Sequence, residues 1–330
     1  MRILSIDGGG YLGLATATFI EEIERHFGTS CHERFDLFCG TSTGAIIALA
    51  LASGMKGSEV TKLYRDFGEG VFRNPFPGSR SLRFVRGLLV SRYSNRRLKK
   101  ALTDTFGDLT LGDIKARNKR VLVASFCLTS GTPRIFKTDH SSDLTGHDQY
   151  LVRDVALASS AAPVYLPLIT ISTPGTGVDE RYCDGGLFAN HPALLGYAEA
   201  ISHLRCKSED IQILSLSTPR SNQAERASAG NPISRFLLSR GILPWAPKLI
   251  NVMIDSTSNI ADETLRRLMN WDAEVTGNQS FRYVRIRLEK PPGTDLDVAT
   301  PRATVALRQV GLEQGRQTQI RNKVAPFFKN

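Results

Sequence analysis

The sequence predicts an α/β fold: one globule with three layers, α/β/α, around a central and mostly parallel sheet. Three observations lead there. The first 52 residues read strand, helix, strand, helix, the pattern of a sheet covered on both faces. Both strands run directly into glycine-rich turns, and the helix Ala45–Ala52 (AIIALALA) is apolar all round, which requires burial. The chain has 330 residues with 41% hydrophobic and 22% charged side chains, the balance of a globular domain with a sizeable core.

Each element follows from local pattern. Arg2 to Ile6 (RILSI) is an apolar strand, and DGGGYLG after it is a turn. Leu14, Phe19, Ile20, Ile23 and Phe27 recur at helical spacing, so Leu14 to Phe27 is a helix. Phe35 to Cys39 is the second strand, closed by GTSTG. Further strands are expected at Arg120–Phe126, Arg134–Lys137, Arg181–Cys183 and Ile211–Ser217, and a late one at Phe281–Leu288. Helices are expected at Leu151–Ser160 and His191–Leu204. There is no linker-like stretch and no internal repeat.

Composition narrows the function. The net charge of +10 favours phosphate-bearing partners such as anionic lipid headgroups or nucleotides. The five cysteines are scattered, odd in number and without a CxxC pair, which argues against a disulfide framework or a zinc site and for a reducing cytosol. No signal peptide and no apolar run of membrane-spanning length is expected. Between Gly70 and Thr103 there are nine Arg or Lys residues, no acidic one, and many apolar side chains. Such a segment suits peripheral contact with a membrane or a lid over an apolar cleft; the plainer alternative is a surface helix pair.

The sharpest chemical signal is Gly40-Thr41-Ser42-Thr43-Gly44. A GxSxG between strand and helix is a nucleophile elbow, in which a tight turn exposes the serine Oγ at the positive end of a helix. A serine hydroxyl needs a base. None of the six histidines follows a late strand, as a Ser…Asp…His order requires, and only His191 follows a glycine motif. Asp184, in Cys183-Asp184-Gly185-Gly186, is the better candidate: a carboxylate at a strand end, desolvated and raised in pKa, with glycines that admit close backbone approach. Gly8, Gly9 and Gly10 supply amides for an oxyanion, with Gly13 completing the loop. Gly8, Gly10 and Gly13 also fit GxGxxG, but the acidic residue of a dinucleotide site is missing where the second strand ends in Cys39.

DGGGYLG, GTSTG and DGG in this order and spacing resemble the patatin-like phospholipases, over roughly residues 3 to 196. The resemblance implies a 3–196 phospholipase core with a 197–330 C-terminal extension packed on it. It implies a Ser42–Asp184 dyad, an oxyanion hole at Gly8, Gly9 and Gly10, and motif glycines at Gly13, Gly40, Gly44, Gly185 and Gly186. It implies neither metal nor cofactor. The family's Asn-Pro after DGG is altered here to Ala189-Asn190-His191-Pro192, and Leu12 stands where many members carry Arg.

The chain further resembles short bacterial members that act in antiphage signalling. That implies a cyclic dinucleotide or trinucleotide activator meeting Arg-rich stretches such as Arg73–Lys100 or Arg220–Arg240. It also implies a homo-oligomer on activation and a cytoplasmic protein peripheral to the inner face of the membrane. The substrate is then membrane phospholipid, contacted through residues around 72–100, and no nucleic acid polymer is a partner. The rival expectations are a constitutive soluble esterase or thioesterase of the same fold, and a non-catalytic nucleotide-binding module.

Overall fold

The structure is a computed structural model and describes residues 1–72, 91–142, 144–220, 242–276 and 282–329. Among the described residues, eight strands form one sheet: β1 (Arg2–Ile6), β2 (Leu37–Thr41), β3 (Arg120–Cys127), β4 (Thr132–Lys137), β5 (Ile169–Ser172), β6 (Asp179–Asp184), β7 (Gln212–Leu216) and β8 (Tyr283–Ile286). Their order is β5-β6-β3-β2-β1-β7-β8, with β4 paired to β3 off this path. The run β3-β2-β1-β7-β8 is parallel throughout, while β4, β5 and β6 pair antiparallel. The mostly parallel sheet expected from the sequence is therefore present.

Helices cover both faces. Along β1, Ile3 points into one apolar cluster and Leu4 and Ile6 into another. The larger cluster lies under the helices Gly13–Phe27, Thr43–Ala52, Val152–Ser159 and Pro301–Arg316. The smaller is closed by Ala193–Ser202 and the long helix Ile242–Thr276, through Ala193, Ala200, Leu265 and Met269. Strands buried on both faces read as continuous apolar runs, which is why β1 and β2 were legible in the sequence.

The C-terminal residues are woven into this body. β7 pairs with β1 from Arg2↔Gln212 to Ile6↔Leu216, and β8 pairs with β7. The helix Pro301–Arg316 lies against Gly13–Phe27 so closely that a Cβ on Gly311 would overlap the carbonyl of Ala15. No helix among the described residues is long and apolar enough to cross a membrane. Residues 73–90 and 221–241, which hold most of the basic-apolar segment and of the Arg220–Arg240 stretch, lie outside the described residues.

The Gly311 contact yields a prediction. Gly311→Leu forces the two helices apart and costs about 2 kcal/mol, seen in calorimetry as a melting temperature lower by about 5 °C.

Candidate active site

Strand register decides which residues meet. β2 runs up one edge of β3 and ends where Thr41 pairs with Ala124. β6 comes down the same edge and ends where Asp184 pairs with Ser125. The carboxyl ends of β2 and β6 thus meet head-on at adjacent positions of one strand, and the residue after Thr41 is Ser42.

Ser42 occupies the elbow expected of it. Its φ of 56° and ψ of −125° are a backbone conformation costly for a residue with a Cβ. The turn is held from outside: Ser42 N–H donates to Ser159 Oγ (2.9 Å), and Ser159 Oγ–H donates to the carbonyl of Ala124 (2.6 Å). Thr41 Oγ1 is tied to the carbonyl of Ala189 (2.6 Å). The flanking glycines have a steric reason, since a Cβ on Gly40 would strike Gly44 and one on Gly44 would strike the carbonyl of Ile6.

Asp184 is buried, and its carboxylate accepts hydrogen bonds from the Ser42 side chain and from Gly186 N–H (2.7 Å to Oδ1). No cation is among the causes that set its pKa. Burial pushes the carboxyl up, the two hydrogen bonds pull it partly back, and it stands at about 6. Gly185 and Gly186 open the short helix that follows, and burying the first of them lets β6 sit tight on β3 at Ala124. A carboxylate in that range trades protons near neutral pH.

The glycine loop crosses beside Ser42 at the end of β1. Asp7 N–H donates to Leu216 O (3.0 Å), Thr218 Oγ1–H to Gly8 O (2.6 Å) and Tyr11 N–H to Leu296 O (2.8 Å). Gly10 has φ +56°, and a Cβ there would overlap Leu296 O, so no other residue fits. The three glycines expected as oxyanion donors are not alike. The Gly8 N–H is already donated to the carbonyl of Asn190 (3.1 Å), whereas those of Gly9 and Gly10 have no acceptor among the described residues. All three, with Ser42 and Asp184, line one cavity. Gly13 starts the first helix behind the loop, against Thr43 and Tyr64.

His191 is turned away. Its Nδ1 accepts from Arg285 Nη1 (2.6 Å), and its Nε2–H donates to Tyr283 Oη (3.1 Å), which donates to Asp262 Oδ1 (2.6 Å). Burial lowers the His191 pKa and Arg285 adds to that, which agrees with a neutral ring accepting at Nδ1. The 3.0 Å approach of Asp7 Oδ1 to the same nitrogen is then a contact rather than a hydrogen bond. Asp7 takes its bonds from Arg285, at 2.6 Å to Nη2 and 3.2 Å to Nη1. No histidine lines the cavity among the described residues.

The cavity wall beyond Ser42 is apolar, with Ile46, Phe67, Phe72, Leu98 and Leu166. Phe72 and Leu98 belong to the described margins of the basic-apolar segment; Arg92 pairs with Asp297 (2.7 Å) and lies over the Tyr165 ring. Sequence reasoning missed Ser159, Thr218 and Arg285. Each acts through contacts that no local pattern signals.

Residues 4–197 match the Patatin-like phospholipase family, and the chain belongs to it. It is a lipid ester hydrolase by that membership. It is 32% identical to a cGAMP-activated phospholipase of Pseudomonas aeruginosa over 332 residues, covering 99% of this chain and 90% of the relative. It is 29% identical to a cGAMP-activated phospholipase of Vibrio cholerae, covering 100% of this chain and 94% of the relative. A cUMP-AMP-activated phospholipase of Escherichia coli is 29% identical, covering 65% of this chain and 63% of that protein.

The buried charge makes a prediction about stability. The folded pKa of Asp184 lies above its unfolded value, so the ionised carboxylate costs stability above about pH 6, and the cost fades as pH falls towards 4. Asp184→Asn removes it. The variant melts higher than wild type at pH 8, by up to about 3 kcal/mol, and no higher at pH 4, as measured by calorimetry at both pH values.

Proposed function

We propose that this chain cleaves fatty-acyl esters of membrane phospholipids with a Ser42–Asp184 dyad, and that a cyclic oligonucleotide switches it on. The observation that carries the reading is the hydrogen bond from Ser42, strained at the elbow, to a buried carboxylate whose pKa stands at about 6.

The mechanism follows from the geometry. Asp184 takes the Ser42 proton as Oγ attacks the ester carbonyl carbon. The amides of Gly9 and Gly10 receive the oxyanion, and the positive end of the helix Thr43–Ala52 favours the same charge. Collapse of the tetrahedral species expels the lysolipid alkoxide, which takes the proton from Asp184, and leaves Ser42 acylated. Water then gives a proton to Asp184 and attacks the acyl carbon, and the fatty acid leaves as Ser42 recovers its proton. The apolar wall at Ile46, Phe67, Phe72 and Leu98 takes the acyl chain.

The switch is supported by the relatives named for activation by cGAMP and cUMP-AMP, two of which align along nearly this whole chain. In this reading the protein is an antiphage effector. It stays peripheral to the inner face of the membrane, docks through residues around 72–100, assembles with itself when the nucleotide binds, and degrades the lipid beneath it.

Fatty-acid release from phosphatidylethanolamine and phosphatidylglycerol vesicles, with and without a panel of cyclic dinucleotides and trinucleotides, tests both parts. Ser42→Ala and Asp184→Ala each lower the rate by about ten-thousand-fold or more, and release by wild type requires one nucleotide. Release that survives Asp184→Ala sinks the dyad; release without any nucleotide sinks the switch. A second expectation concerns pH. The dyad works only with Asp184 ionised, so kcat/KM rises with pH through an apparent pKa of about 6 and then levels. An acid limb near pH 4 contradicts a buried base.

A further inference from the structure

The carboxyl ends of β2, β1, β7 and β8 lie side by side, in that order, along the cavity. They carry Ser42, the glycine loop, Arg220 and Lys290, all of which line it. Arg220 forms a parallel bridge with Glu289, the residue before Lys290. Strands about 4.8 Å apart put β7 roughly 10 Å from β2, on the side of the glycine loop away from Ser42. The apolar wall is built instead by the elbow helix and the elements packed on it. The cavity therefore has an apolar end and a charged end, with the reacting serine between them.

Four charged side chains line the charged end: Arg220, Asp255, Lys290 and Asp295. Arg220 Nη1 donates to Asp255 Oδ1 (3.0 Å) and Lys290 Nζ to Asp295 Oδ1 (3.0 Å). Each carboxylate spends Oδ1 on its cation, and among the described residues neither Oδ2 has a donor. Lys290 keeps two further N–H groups. Burial lowers the Arg220 pKa, so the desolvated guanidinium gains from a second anion. Two cations and two carboxylates leave this end with no net charge. A ligand with only negative charge satisfies the cations but meets the carboxylates beside them; a ligand carrying both signs satisfies all four.

We infer that Arg220, Lys290, Asp255 and Asp295 form a headgroup subsite that selects zwitterionic glycerophospholipids. The two cations hold the phosphate and the two carboxylates hold the ammonium group. The order along the strands matches the order in such a lipid: the scissile ester over Ser42, its oxyanion over the glycine loop, the phosphate at β7 and β8, and the ammonium beyond it. This inference rests on the phospholipase reading above.

The test uses the whole chain, with the activating nucleotide present, on detergent micelles carrying phosphatidylethanolamine, phosphatidylglycerol or diacylglycerol with the same acyl chains. The readout is the ratio of rates within one preparation, from which any misfolded fraction cancels. Wild type cleaves phosphatidylethanolamine faster than phosphatidylglycerol. Asp255→Asn and Asp295→Asn each cut that ratio about tenfold, the worth of one charge-assisted contact. Arg220→Gln and Lys290→Gln cut the ratio of phospholipid to diacylglycerol by a similar factor. A wild type that prefers phosphatidylglycerol, or ratios unmoved by all four substitutions, overturns the subsite while leaving the phospholipase intact. Failure to cleave any of the three lipids in a Ser42-dependent way removes the phospholipase reading and the subsite with it.

Discussion

The site depends on one feature of pairing: two strands that share an edge of β3 and stop against each other. β2 pairs with β3 up to Ala124 and β6 takes over at Ser125, in the opposite direction. Parallel pairing delivers Ser42 at a carboxyl end, the usual place for chemistry in an open α/β sheet. Antiparallel pairing delivers Asp184 at a carboxyl end as well. Because both ends are fixed by backbone hydrogen bonds to one strand, serine and aspartate stay in register without a third side chain to align them. Ser159 reinforces the junction from below by bonding Ser42 N–H and the carbonyl of Ala124 together.

A second constraint keeps the glycine loop in place. A loop of three consecutive glycines loses much conformational entropy on ordering, so it needs anchors at both ends. Asp7 provides the first through its bidentate bond to Arg285 of β8, and Tyr11 provides the second through Leu296 O. Arg285 also bonds His191 and Ser215, which joins the loop, the residue after Asn190 and the outer strands into one buried network. The network reaches the long helix through Tyr283 and Asp262. The C-terminal third of the chain thereby sets the position of a glycine loop that lies at the N-terminus.

Much of this was legible in the sequence because the strands are buried on both faces. Arg2–Ile6 was delimited as found, the first helix to within one residue, and the GTSTG turn lies between strand and helix as expected. The helices Gly57–Val71 and Pro301–Arg316 were not read from the sequence although both pack on the main core. The strand Arg181–Cys183 proved longer, Asp179–Asp184, which places Asp184 within the strand rather than after it. Arg285 sits in the alternating FRYVRIRL run, where nothing local distinguishes it from Arg287 on the surface. What separates them is a partner 278 residues away. Likewise, the accepting carbonyl that occupies the Gly8 amide belongs to Asn190, a pairing that no motif spacing encodes.

The two aspartates of the glycine motifs differ in the charge placed beside them. Asp7 and Asp184 are both buried, both at the carboxyl end of strands in one sheet, and each next to a glycine pair. Burial pushes both carboxyls up. At Asp7 the charge and two hydrogen bonds of Arg285 outweigh burial and hold the group well below the usual carboxylate range, so it remains a fixed anion and an anchor. At Asp184 only two neutral donors oppose burial, and the group stands at about 6, where it can take up and release a proton at physiological pH. A cation beside Asp184 would pull it back to Asp7's condition, too weak a base to accept a serine proton. Among the described residues, no basic side chain shifts Asp184. Arg285 neutralises Asp7, while Arg220 and Lys290 line the far end of the cavity.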